Sequence, residues 1–186
     1  TGVQTCALPI SAIHPFYTAS FRQFELAGRK IVGSAPVGHD GTEAWLESIG
    51  AACNVAGEKI DAAKKRFLPM IKAALAAKPI DARITVSGYE GSELLVARLL
   101  IESGARVPYV GTACPRTQWS DSDREWLETR GTRVQYRASL EMDLAAVGEF
   151  KPDLAIGTTP VVQKAKQLAI PALYFTNLIS ARPLFG

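Results

Sequence analysis

The chain has 186 residues, 47% of them hydrophobic and 21% charged, with a formal net charge of +3. That balance describes a folded globular protein and excludes a disordered polymer, while so small and dispersed a charge predicts no nucleic-acid partner. No apolar run is long enough to cross a bilayer, so no transmembrane segment is predicted.

The first ten residues, TGVQTCALPI, carry no charge and lack the basic start of a secretory signal. They resemble an in-frame translation of a common sequencing-library adapter, so residues 1–10 are expected to be non-native and the chain to be a fragment. With Cys6 set aside, Cys53 and Cys114 stand apart, without a C-x-x-C spacing or a nearby histidine. No metal ligand set is therefore predicted, and a reducing, cytoplasmic compartment is expected.

From Phe16 to Arg29, Tyr17, Phe21, Phe24 and Ala27 recur at helical spacing, an aromatic stripe expected to pack in a core, with Gly28 as the stop. KIVGSAP reads as extended and PVGHDG, Pro36 to Gly41, as a loop, with Thr42 capping a short helix that ends at Gly50. A long helix is predicted over 58–78, kinked or split by Pro69. Lys64, Lys65 and Arg66 read as its solvated face.

Beyond Pro79 the rhythm changes. Five β-rich runs, ARITVSG, RVPYVGT, TRVQYR, DLAIG and ALYFT, alternate with four helical patterns. The first of these helices has only a thin polar stripe of Glu93, Arg98 and Glu102; Ser139 caps the third. This alternation predicts an α/β fold, a Rossmann-like parallel sheet with helices on both faces over residues 80–186, preceded by a mostly helical segment over 11–79.

In such sheets ligands lie beyond the carboxyl ends of the strands. Those ends supply Gly88, Tyr89, Thr112, Thr158, Thr159 and Asn177 as candidate substrate or interface residues, together with Cys114. Capping explains the threonine before Pro160 better than ligand binding does. The loop SGYEGS is not G-x-G-x-x-G, and Glu90 sets a negative charge where a pyrophosphate would sit, so no nucleotide is predicted there. Of the two histidines, His39 beside Asp40 is a weak catalytic candidate as a proton relay, with a structural hydrogen bond as the plainer reading.

HPFYTASFRQFELAGR, GSAPVGHDGTEAWLESIG and PALYFTNLISARPLFG together resemble the nitrogenase component 1-like oxidoreductases, specifically the Y-subunit family of the chlorophyllide a reductases. The pattern P-x-G-x-x-x-T-x-x-[LW]-[LW], met by Pro36, Gly38, Thr42, Trp45 and Leu46, and FKPDLAIG, 150–157, resemble the wider superfamily. The resemblance implies an oxidoreductase subunit acting with a Z-type subunit in a heterotetramer. A separate iron–sulfur ATPase reductase component would use ATP and ferredoxin electrons, and an iron–sulfur cluster between the subunits would serve reduction of a ring B double bond of chlorophyllide a. The implied cluster ligands lie outside this chain, which is expected to be truncated at both ends and inactive alone. Other readings are a dark-operative protochlorophyllide reductase subunit, a nitrogenase cofactor scaffold, or a non-catalytic α/β ligand-binding module.

Overall fold

The computed structural model describes residues 9–33 and 35–175. It opens with β1 (Ile10–Ser11), α1 (Thr18–Leu26) and β2 (Ile31–Val32), the two short strands pairing in parallel. Gly28, at φ +72°, ends the turn after α1 as expected. Of the aromatic stripe only Phe21 is buried, edge-on to Trp119 at 4.7 Å; Tyr17 and Phe24 are exposed. A nine-residue helix packed along one line has room for one such anchor.

The next helix, α2 (Gly38–Ala52), starts earlier than the sequence predicted. Residues 38–41 of the segment read as a loop form its first turn, so His39 lies in the helix, while Pro36 and Val37 stay outside it. Thr42 is no cap; its hydroxyl donates to the Gly38 carbonyl one turn back, at 2.6 Å. The first-turn amides of His39 and Asp40 are capped instead by the carboxylate of Glu102, more than sixty residues away in sequence. A cap supplied by tertiary packing leaves no local signature. Helix α3 (Gly57–Ala76) packs on α2 and runs unbroken through Pro69. Lys65 and Arg66 are exposed, as a solvated face requires, whereas Lys64 turns toward α2 and pairs with Glu43 and Glu47.

The sheet comprises β3 (Arg83–Gly88), β4 (Arg106–Thr112), β5 (Arg133–Tyr136), β6 (Leu154–Gly157) and β7 (Ala172–Tyr174). All pairings are parallel, in the order β5-β4-β3-β6-β7. Its crossovers are α4 (Glu93–Glu102), α5 (Asp121–Glu128), α6 (Leu140–Phe150) and α7 (Thr159–Gln167). Helices α4 and α5 pack together on one face, α6 and α7 on the other. The α/β reading of the sequence therefore holds element by element. Ser139 caps α6 by accepting from the Met142 amide, as expected. Ile84, Val86, Val110 and Ile156 form the middle of the core on the face covered by α4 and α5; the other face packs Ala155 with Val147 and Val161 and also buries Thr85 and Ser87.

Helix α4 explains its own composition. Leu94, Val96 and Ala97 join the sheet core, while Leu95 and Leu99 pack against Ala35 and Val37 ahead of α2. A helix covered on two sides must be apolar nearly all round. Its thin polar stripe is consequently not a solvent face: Glu93 and Arg98 are buried. Arg98 forms an enclosed ion pair with Asp123 of α5 and lies over the Trp126 ring at 4.8 Å.

Candidate functional site

The chain leaves β3 toward one face and the neighbouring β6 toward the other. Ligand crevices form where adjacent strands part in this way. Here the crevice is a cavity of about 220 Å³ lined by Tyr89, Glu90, Gly157, Thr158, Thr159, Pro160, Tyr174 and Phe175. Four of the sequence candidates converge on this mouth: Tyr89, Thr158 and Thr159 line it, and Gly88 ends the strand beneath it.

The loop from β3 to α4 is held by a residue the sequence reading passed over. The Glu93 carboxylate, fully buried, accepts from the amides of Glu90 and Gly91, both at 2.8 Å, and from the Thr112 hydroxyl at 2.9 Å. It also lies so close over Gly88 that any Cβ there would collide with it. Burial pushes the Glu93 carboxyl above the usual carboxylate range, against the pull of these donors. The amides that would cradle a phosphate are thus spent on an internal carboxylate. The sequence placed the obstacle to a pyrophosphate at Glu90; the carboxylate that takes up these amides is Glu93. The available signal was an acid opening an otherwise apolar helix just after a glycine-rich turn.

A strap from the N-terminal segment roofs the β3–β4 side. His14 donates from Nε2 to the Glu90 carbonyl at 2.8 Å and stacks on Tyr17, ring centroids 4.2 Å apart. Thr117 donates to the Pro15 carbonyl at 2.8 Å, and Phe16 meets the Tyr136 edge at 6.4 Å. Gly91, at φ +89°, leaves no space for a side chain beneath His14 and Phe16. The β3–β6 side is where the mouth opens.

This roof divides the candidates. Thr112 is wholly buried, its hydroxyl spent on Glu93 while it accepts from the Cys114 amide at 3.2 Å. Cys114 is half-buried; burial, with the nearby Glu93 charge adding, pushes its thiol up. Neither residue lines the mouth. At α7 the N-cap is Thr158, one residue earlier than the sequence indicated, and its side chain makes no capping bond. Among the described residues the hydroxyls of Thr158 and Thr159 have no protein partner, which leaves both for the cavity. Asn177 lies outside the described residues.

His39 is elsewhere. Helix α4 starts at the mouth with Glu93 and ends with Glu102, which caps the His39 turn. Ten residues at about 1.5 Å each put His39 near the opposite end of the sheet. There its Nδ1 donates to Asp40 at 3.0 Å, and Asp40 also accepts from Trp126 at 2.9 Å and Arg130 at 3.3 Å. The His39 hydrogen bond first, then those from Trp126 and Arg130, hold the Asp40 carboxyl below its ordinary range against partial burial. Nothing at the mouth receives a proton from this imidazole. A second enclosed carboxyl, Asp143 of α6, accepts from Tyr109 at 2.8 Å under β4 and rises to about 6 through burial.

A cluster needs several thiolate or equivalent donors converging on one point. Cys53 is exposed at the end of α2 and Cys114 half-buried past β4, and among the described residues no three His, Cys, Asp or Glu side chains are grouped to hold a metal. The described residues do not fit an iron–sulfur cluster. No described helix is long and apolar enough to cross a membrane.

Known proteins give this framework a relationship. Residues 12–186 match the family model of the nitrogenase component 1 type oxidoreductases. The chain is 72% identical over 176 residues to the chlorophyllide reductase 52.5 kDa chain of Cereibacter sphaeroides, covering 95% of this chain and 35% of that protein. It is likewise 72% identical over 177 residues to the chain of the same name from Rhodobacter capsulatus, 95% and 36% covered. A more distant relative, the light-independent protochlorophyllide reductase subunit N of Cyanophora paradoxa, is 26% identical over 135 residues, 65% of this chain and 28% of that one. The chain thus spans about a third of the length of the close relatives. Among solved structures, nitrogenase Cp1 at pH 6.5 superposes with a TM-score of 0.53 at 18% identity, over 79% of this chain and 32% of that one, which supports the α/β fold alone. On the strength of a match running nearly from end to end, the chain belongs to the nitrogenase component 1 type oxidoreductase family.

Proposed function

We propose that this chain is part of the Y-type subunit of a chlorophyllide a reductase, within an assembly that reduces a ring B double bond of the tetrapyrrole. The observation that carries the reading is the 72% identity over 95% of the chain to two chlorophyllide reductase chains. The family's chemistry uses iron–sulfur clusters; in this reading the cluster ligands lie on other parts of the assembly. ATP is hydrolysed by a separate iron–sulfur reductase component, and a Z-type subunit completes the catalytic one. Protochlorophyllide reduction is the weaker alternative, since the relative that carries that name is only 26% identical.

Within that assembly the β3–β6 mouth is proposed as a wall for pigment or partner subunit. Tyr89, Pro160 and Tyr174 offer flat apolar surface, and Thr158 and Thr159 offer hydroxyls that bond to none of the other described residues. A tetrapyrrole face needs the first and its peripheral carbonyl or carboxyl groups the second. The test is a reconstituted reductase with its partner subunit, reductase component and ATP, followed by pigment absorbance. Tyr89→Ala and Thr158→Val should raise KM or lower turnover while the protein stays folded. Wild-type kinetics in both variants would remove the mouth from this role, and turnover of a different tetrapyrrole would replace the substrate.

A further inference from the structure

A second opening lies away from the mouth. A cavity of about 450 Å³ lies at the other end of α4, between the start of α2, the second half of α3 and the turn after α4. That volume is in the range that small-molecule sites occupy. Leu75, Ala76 and Pro79 give it an apolar wall, and His39, Asp40, Lys72 and Glu102 its polar groups.

Its polar groups divide sharply by what they already bond. Asp40 accepts from His39, Trp126 and Arg130. Glu102 accepts from the amides of His39 and Asp40. Both acids are committed to holding α2 in place. Ser103 is committed as well, donating to the Leu99 carbonyl at 2.8 Å. Lys72 is the exception: among the described residues its ammonium meets no carboxylate within ion-pair distance. The His39 ring, bonded through Nδ1, keeps Nε2 for the cavity. The cation of the lining that lacks a counter-ion among the described residues is therefore Lys72, which sits beside apolar surface, while the charge of Glu102 is held by the first-turn amides of α2. A bare inorganic anion would leave the apolar wall unused.

From these residues we infer that the cavity between α2, α3 and α4 is a binding site for a small carboxylate with an apolar body, its carboxylate on Lys72 and its body against Leu75, Ala76 and Pro79. The inference is independent of the function proposed for the mouth. Binding should be visible at a distance of two hydrogen bonds, because His39 bonds Asp40 and Asp40 bonds the indole N–H of Trp126.

The probe is sodium benzoate, titrated into the ¹⁵N-labelled chain while the indole N–H signals of Trp45, Trp119 and Trp126 are followed; Trp126→Phe assigns the relevant one. A saturable shift of Trp126, with Trp45 and Trp119 unmoved, is expected. Lys72→Met should weaken it about tenfold, the worth of one charge-assisted hydrogen bond. Ala76→Phe, which fills the cavity from an exposed helix position, should abolish it. Benzyl alcohol and inorganic phosphate should each bind at least about tenfold more weakly than benzoate, lacking the charge and the body respectively. No saturable Trp126 shift, a shift indifferent to both substitutions, or phosphate binding as tightly as benzoate would each overturn the assignment.

Discussion

Tyr109 and Asp143 close a hydrogen bond of 2.8 Å beneath β4, with Tyr109 only 2% and Asp143 only 7% exposed. Their contact occupies the space over Gly111, where any Cβ would strike the Asp143 carboxylate. Burial, opposed by the tyrosine and reinforced by the negative charge of Glu93, lifts the Asp143 carboxyl to about 6. Between its ordinary value of 3.8 and about 6, the folded chain holds a proton that the unfolded chain releases. Stability from this group is full below that window and falls as pH climbs through it, by about 3 kcal/mol. Asp143→Asn keeps an oxygen for Tyr109 and removes the titration. Chemical denaturation at pH 5 and pH 7 should show the variant gaining relative stability at the higher pH; an unchanged slope between the two would refute the account.

Glu93 is expected to be the most sensitive single position of the mouth. Glu93→Ala leaves two amides and the Thr112 hydroxyl without their acceptor, at about 1–3 kcal/mol for each buried orphan. Gly88→Ala attacks the same contact from the other side, forcing a methyl into the carboxylate. Because the two share one space, Gly88→Ala combined with Glu93→Asp should cost less than the sum of the single changes. Strict additivity in urea melts would show that the collision is relieved elsewhere.

The Arg98–Asp123 pair is a second place where half a change is worse than a whole one. Removing Asp123 alone strands a buried guanidinium, and removing Arg98 alone strands a buried carboxylate, each at about 3–5 kcal/mol. Arg98→Met with Asp123→Leu replaces the pair by apolar volume and should recover much of the loss. A double variant as unstable as either single one would mean that the stack of Arg98 on Trp126, not the charge, dominates.

Thiol chemistry should separate the two cysteines of the described residues. In a Cys6→Ser background, Cys53 is exposed and should react promptly with a neutral disulfide reagent. Cys114 is half-buried with its thiol pushed up, so little of it is thiolate near neutral pH and its reaction should be markedly slower. Raising the pH should speed Cys114 more. Equal rates at pH 7 would contradict the placement of Cys114 beside Thr112 and Glu93.

Strand and helix order were legible because each carries its own period: short β-rich runs that form strands of three to seven residues, then helices, two of them stopped by Gly104 and Gly131 in left-handed turns. What stayed hidden depends on partners distant in sequence. The start of α2 is fixed by Glu102, the mouth loop is roofed by His14, and the polar side of α4 faces protein because residues 35–37 cover it. His39 and the mouth residues were grouped only by residue type, and a helix length separates them. Glu93 was overlooked because a carboxylate on a helix reads as a solvent marker until its neighbours are known.

Helix α4 behaves as a rod with a hook at either tip. Its first residue grips the turn that shapes one end of the sheet, and its last grips the turn that anchors the preceding helical pair. At each grip a glycine faces the carboxylate where a Cβ would collide with it, Gly88 at Glu93 and Gly38 at Glu102. A shove of α2 and α3 by a neighbouring molecule would therefore travel along the rod, and the crevice at the far end would feel it.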